Sequence, residues 1–264
     1  MAAVTDGPWP ETPAAFPDAA DGTPLSGPVR LSTVPSGGAP PAAPQGASVP
    51  ELTRTDELLA FGELVAGCTK CALAGGRTQV VFGSGNPNSD LMFVGEAPGF
   101  HEDKQGIPFV GAAGKLLEQL LEGIGLSREE VFIANVLKCR PPGNRDPLPE
   151  EIQACESHLW RQIELIEPRV VATLGNFATK LLSGRPTGIT RVHGQEQEVT
   201  LGGRRVLLYP IYHPAAALYT PRMLEVLRSD FARLPELMGR AVVPPKPAYV
   251  APVVAEPAVQ LGLF

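Results

Sequence analysis

The sequence predicts an α/β fold: a parallel sheet covered on both faces by helices, within residues 51–240. Three observations predict it. Four short apolar runs, rich in β-branched and aromatic residues, are each flanked by turn residues. Helical patterns lie between them, so the order reads β-α-β-α-β-α-β-α, and such alternation builds parallel sheets. Eleven of the 29 prolines fall in residues 1–50 and five in 241–264. There the lost backbone donors and fixed φ exclude helices and central strands. The chain thus divides into a Pro/Ala/Gly-rich disordered tail at 1–50, a folded unit at 51–240 and a flexible Pro-rich tail at 241–264. No segment repeats.

The elements follow in order. Residues 55–66 place Leu58, Leu59, Phe61, Leu64 and Val65 at helical spacing. Cys68 and Cys71 follow as a C-x2-C pair. Residues 91–94 (LMFV) form a first strand ending at Gly95. A helix over 113–124 carries Leu116, Leu117, Leu120, Leu121 and Ile124 on one side. Residues 131–134 (VFIA) form a second strand ending at Asn135. The helix over 149–166 opens with Pro-Glu-Glu, a proline suited to the first turn and acids suited to the positive end. Residues 170–174 (VVATL) form a third strand, 177–182 a short helix, 206–209 (VLLY) a fourth strand leading to His213, and 223–237 a closing helix. In such sheets ligands bind at the carboxyl ends of the strands. Glu96, Asn135 and His213 stand at those ends, which is an active-site pattern.

Charge and composition narrow the class. The net charge is −6, and residues 1–50 contribute four acids against Arg30. The folded unit is therefore only mildly acidic, and a local basic face remains compatible with it. No 18-residue apolar run exists, so no membrane span is expected. The first residues lack the basic and apolar regions of a secretory signal. The expected compartment is the cytoplasm, where thiols stay reduced, and four cysteines there point to a metal site. Thiolates in fours hold Zn²⁺ or an iron–sulfur cluster. One C-x2-C pair, with Cys139 and Cys155 far downstream, departs from the two compact knuckles of a zinc ribbon.

Three further segments carry chemistry. The glycine-rich stretch 95–114 allows close backbone approach to a ligand and opens a helix whose free N–H groups suit an anion. Its Gly114-Lys115 ending is not a P-loop, because Phe109 and Leu116 replace the required Gly and Ser/Thr. Phe109, between Pro108 and Gly111, suits stacking. In NVLKCRPPGNR (135–145), the Asn135 amide offers both donor and acceptor to a base edge, and Lys138, Arg140 and Arg145 suit phosphates. In IYHPAA (211–216), His213 can donate to a developing oxyanion.

In that order, GEAPG, EDKQGIPFVGAAGKLL, NVLKCRPPGNRDPLPEEIQAC, ATLGNFATKLL, ITRVHGQ and YHPAAAL closely resemble the family-four uracil-DNA glycosylases over about residues 55–235. The resemblance implies a three-layer α/β/α fold with a central four-stranded parallel sheet. It implies a [4Fe–4S] cluster on Cys68, Cys71, Cys139 and Cys155. The implied activity flips deoxyuridine out of DNA and hydrolyses its N-glycosidic bond, leaving an abasic site. By the same motifs, Gly95, Glu96, Ala97, Phe109, Asn135 and His213 line the uracil pocket. Phe109 would stack on the base, Asn135 would read its O4/N3 edge, and His213 would bond O2 as charge builds. Glu96 and His213 are the catalytic candidates. Ala97 stands where related enzymes carry a water-activating Asp, so either Glu96, Glu102 or Asp103 takes that role, or catalysis rests mainly on stabilising the leaving base. The expected DNA contacts are Lys138, Arg140, Asn144, Arg145 and Arg222. With no motif lysine placed as a nucleophile, and no histidine in the 138–145 loop of the kind a related branch uses to trap uracil, simple hydrolysis by a monomer is expected.

The last residues, QLGLF, resemble the peptide by which bacterial repair proteins dock on the DNA sliding clamp, with Gln260, Leu261, Leu263 and Phe264 as contacts. The competing reading is a non-catalytic iron–sulfur protein, DNA-binding or redox-sensing, tethered to the clamp. Three polar side chains at strand ends favour the enzyme.

Overall fold

The computed structural model describes residues 53–240, and both tails, including residues 260–264, lie outside the described residues. The strands are β1 (Ser84–Gly85), β2 (Leu91–Gly95), β3 (Phe132–Asn135), β4 (Val170–Leu174), β5 (Gln197–Leu201) and β6 (Arg204–Ile211). They form one sheet in the order β1-β3-β2-β4-β6-β5. The four predicted strands are its inner members and pair in parallel. The expected four-stranded parallel sheet is corrected to a mixed sheet of six, because β1 pairs antiparallel with β3 and β5 pairs antiparallel with β6. β1 is only a Ser-Gly pair, with no apolar run to announce it. β5 and β6 are joined through Gly202 and Gly203 at φ 55° and 74°, the left-handed pair that tight hairpin turns require.

The helices are α1 (Arg54–Ala66), α2 (Phe100–Gln105), α3 (Ala112–Glu122), α4 (Pro149–Ile166), α5 (Asn176–Ser183), α6 (Ile189–Val192), α7 (Ala215–Tyr219), α8 (Arg222–Ala232) and α9 (Leu234–Arg240). α1 starts at a capping box: Thr53 Oγ1 accepts from the Asp56 amide and Asp56 Oδ2 accepts from the Thr53 amide. The predicted closing helix is two, α8 and α9, because Pro235 opens a new first turn.

Successive side chains of a strand point to opposite faces, and β2 shows the result. Met92 and Val94 enter one core with Leu58 of α1, Leu159 and Ile163 of α4 and Leu182 of α5. Leu91 and Phe93 enter a second core with Leu117 and Leu121 of α3, Phe231 of α8 and Leu237 of α9. The sheet is thus covered on both faces. Fully burying each such side chain stabilises the fold by roughly 1.5–3 kcal/mol. The chain leaves β2 toward β3 on one side, then crosses back to β4 on the other. A crevice for ligands opens at the carboxyl ends where such a reversal occurs. Among the described residues no helix is long and apolar enough to cross a membrane.

Candidate active site and cysteine cavity

Gly95 ends β2 and pairs in register with Asn135 at the end of β3. A Cβ added at Gly95 would lie 2.4 Å from Asn135 Oδ1 and 2.7 Å from Phe109 Cζ. An amide and an aromatic ring therefore close over the strand end, and only glycine leaves them room. Phe109 stacks with His213, ring centroids 5.6 Å apart and planes inclined by 28°. His213 in turn lies against Gly175 at the end of β4. The carboxyl ends of three inner strands, and the turn that follows β6, meet in this cluster.

Asn135 is 2% exposed, and its Oδ1 is buried with no hydrogen-bond partner. Leaving such an atom unpaired costs about 1–3 kcal/mol. A buried group of this kind is explained where a ligand supplies the donor. His213 Nδ1 accepts from the Ala215 amide at 3.1 Å. The ring proton of neutral His213 therefore sits on Nε2, which is left as a donor. Burial pushes the imidazole down to about 4, so it is neutral at physiological pH. Burial, with the Asp146 carboxylate nearby, raises the Glu96 carboxyl above its ordinary value. Ala97 packs against the core that holds α1 and α4 and offers no acid.

Glu102 and Asp103 do not serve as free acids. Glu102 Oε1 accepts from the Val110 and Gly111 amides at 2.9 Å each, and Oε2 accepts from Gly99 at 3.1 Å. Asp103 accepts from the Thr78 amide at 2.8 Å. Both are committed to holding loops.

The expected DNA contacts divide. Lys138 is corrected: it is 1% exposed, and its ammonium donates to the Asn135 carbonyl at 2.7 Å and to Gln162 Oε1 at 2.5 Å. Burial pulls it down to about 8. It braces the strand end that carries Asn135 and cannot reach a phosphate. Arg145 makes a forked pair with Glu151 at 2.5 and 2.9 Å. Arg140 donates to Asn144 Oδ1 at 2.6 Å and lies over the Phe100 ring at 5.2 Å. Arg222, the first residue of α8, is exposed.

Cys68, Cys71, Cys139 and Cys155, 87 residues apart at the extremes, line one cavity with Arg77, Lys138 and His158. Two donors and an imidazole nitrogen approach their sulfurs. Arg77 donates to Cys139 at 3.6 Å, the Lys138 amide donates to Cys155 at 3.3 Å, and His158 Nε2 lies 3.3 Å from Cys68. Burial pushes the Cys139 thiol up to about 11 and raises Cys155 as well. Among the described residues, no three Cys, His, Asp or Glu side chains could hold a single metal ion. A tetrahedral zinc would need sulfurs about 3.8 Å apart, given bonds of about 2.3 Å. Four thiols lining one cavity fit a thiolate-held inorganic group, with the Arg77 guanidinium and the Lys138 amide already directed at its ligands.

Sequence reasoning missed Arg77 and His158. His158 stands three residues after Cys155 on α4, a spacing that puts both on one helix face and could have marked it. His193, at the C-cap of α6, lies 3.4 Å from Asp230 and packs on Tyr212, just before His213.

Residues 82–234 match the family model described as the uracil DNA glycosylase superfamily. The type-4 uracil-DNA glycosylase of Archaeoglobus fulgidus is 49% identical over 180 residues, covering 67% of this chain and 90% of that protein. The type-4 uracil-DNA glycosylase of Sulfurisphaera tokodaii is 48% identical over 187 residues, 69% of this chain and 85% of that protein. That of Saccharolobus solfataricus is 46% identical over 189 residues, 70% of this chain and 88% of that protein.

Proposed function

The chain belongs to the uracil DNA glycosylase superfamily, and within it to the type-4 uracil-DNA glycosylases, and on that membership and the geometry above we propose how it removes uracil from DNA. The observation that carries the mechanism is the buried, unpartnered amide oxygen of Asn135, set against Gly95 and beside the Phe109 and His213 rings.

An N-glycosidic bond inside a base stack is out of reach, so deoxyuridine must be extruded into the pocket. Phe109 stacks on the extruded base, and Gly95 leaves space for it. The Asn135 amide pairs with the O4/N3 edge. His213, neutral and protonated on Nε2, donates to O2. The C1′–N1 bond breaks with its electron pair passing to uracil, and the Nε2–H bond strengthens as that negative charge grows. Removing one such donor typically costs about 10²–10³ in rate. Glu96, as carboxylate, stabilises the positive sugar and takes a proton from the water that attacks C1′. The products are free uracil and an abasic site. Arg140 and Arg222 contact phosphates, while Asn144 and Arg145 shape the loop between β3 and α4.

Cys68, Cys71, Cys139 and Cys155 would hold a [4Fe–4S] cluster, which supplies iron–thiolate bonds that staple the end of α1 to the loop after β3 and to α4. The described unit works as a monomer in a reducing cytoplasm. The QLGLF terminus docks on a sliding clamp. Deleting residues 260–264 should abolish clamp binding and spare uracil release from short oligonucleotides, and equal clamp binding by the truncated chain would refute the docking.

The test of the reaction is uracil release from single- and double-stranded oligonucleotides, with borohydride present in a parallel reaction. Free uracil, an alkali-labile abasic site and no trapped protein–DNA adduct are expected. A trapped adduct, or intact uracil-containing DNA, would overturn the reading.

A further inference from the structure

Phe109 adopts φ 54°, one of three non-glycine residues with positive φ among the described residues. A left-handed conformation costs a residue with a Cβ about 1–2 kcal/mol. Strain of this kind persists only where neighbours over-determine it. The neighbours here act on both sides of the residue. After it, Glu102 accepts from the Val110 and Gly111 amides. Before and at it, Arg128 donates from one guanidinium nitrogen to the Phe109 carbonyl at 2.9 Å and from the other to the Pro108 carbonyl at 2.6 Å. The first turn of α3 closes the third side: a Cβ at Gly114 would lie 1.8 Å from the Phe109 carbonyl oxygen.

Arg128 lies outside every motif that the sequence resemblance rests on, in the connection between α3 and β3. That connection is itself held close to β1, since a Cβ at Gly85 would meet the Val131 carbonyl at 1.9 Å and the Arg128 carbonyl at 3.0 Å. Arg128 makes no ion pair among the described residues; its fork is spent on two neutral carbonyls that flank one strained aromatic residue. A planar fork fixes two acceptors at a set spacing, and a lysine cannot. We propose that Arg128 is a positioning residue, which holds the Phe109 backbone in its left-handed conformation and so aims the ring at the extruded base. This rests on Phe109 being the stacking partner of uracil.

The test is a double-mutant cycle on the full chain with its metal content intact. Single-turnover uracil release is measured for wild type, Arg128→Ala, Phe109→Ala and the double variant, alongside affinity for abasic-site DNA and thermal melting. A misplaced ring should slow Arg128→Ala by about 10²-fold, with abasic-DNA affinity unchanged. In the Phe109→Ala background the same change should cost less than about 2-fold, because coupled residues are not additive. Arg128→Lys, which keeps one of the two contacts, should fall between, and it carries the same cycle if the alanine variant fails to fold. Losses that multiply, or an Arg128→Ala rate within about 2-fold of wild type, would overturn the assignment. A wild-type chain that releases no uracil would instead overturn the proposed reaction.

Discussion

His213 and Glu96 are shaped by burial in opposite senses, and both senses suit the reaction. Burial depresses His213 from 6.5 to about 4, which keeps it a neutral donor. Burial raises Glu96 above 4.5, so it needs a higher pH than an exposed carboxyl to ionise. The proposed chemistry needs Glu96 charged and His213 neutral, and acidification removes both conditions. Glu96 protonates first as pH falls, so it sets the acid limb of kcat/KM, which reports the free enzyme. Glu96→Gln should be slow and should lack that limb, leaving only a fall near pH 4. An unchanged limb in the variant would show that another group controls it. The place of Glu96 and His213 just past the strand ends was legible in the sequence, because each follows an apolar run that ends abruptly in a polar residue. Lys138 was misread for the converse reason. A lysine among Arg140, Arg145 and two prolines looks solvated, and its actual partner, Gln162, lies 24 residues on, in the C-terminal half of α4.

At the scale of elements, the parallel pairing of β2 with β3 brings Gly95 beside Asn135. Gly95→Ala tests that pairing. Its backbone does not require positive φ, so the substitution acts by contact with the amide and the Phe109 ring. Overpacking of this kind costs typically 1–3 kcal/mol. Uracil release should fall at least 10²-fold while the chain stays folded, a loss of the size seen when reacting groups are misplaced by about 1 Å. Near-normal activity would show that the amide and ring move freely. The inner strands were legible as short apolar runs flanked by turn residues, and the longer helices from their periodicity and first-turn residues. β1 was not, because two residues carry no period. The β5–β6 hairpin had a signal in Gly202-Gly203 between the runs QEVTL and RRVLLYPI, but its exposed alternate positions diluted the hydrophobic pattern.

Across the whole molecule, the sheet separates two cores, and the cysteine cavity lies on the α1–α4 side while Phe109 belongs to the other. An inorganic group held by these thiols would brace the α1–α4 side of the sheet, away from the core that holds Phe109. Cys139→Ser should lose visible absorption and part of its bound iron and sulfide. It should also melt lower, by roughly 2–4 °C for every kcal/mol lost in a domain of this size. Retained iron and an unchanged melting temperature would remove Cys139 from the ligand set. The cysteines' spacing suggested a shared site, but its second layer of Arg77 and His158 was not legible, since contacts that arise only on folding leave no local pattern.

The most direct test of the uracil pocket is the single-turnover rate of Asn135→Ala on a uracil-containing oligonucleotide, with its affinity for abasic-site DNA measured beside it. The unpaired oxygen predicts a rate about 10²–10³-fold below wild type, with abasic-DNA affinity unchanged. A variant that releases uracil at the wild-type rate would show that Asn135 does not read the base.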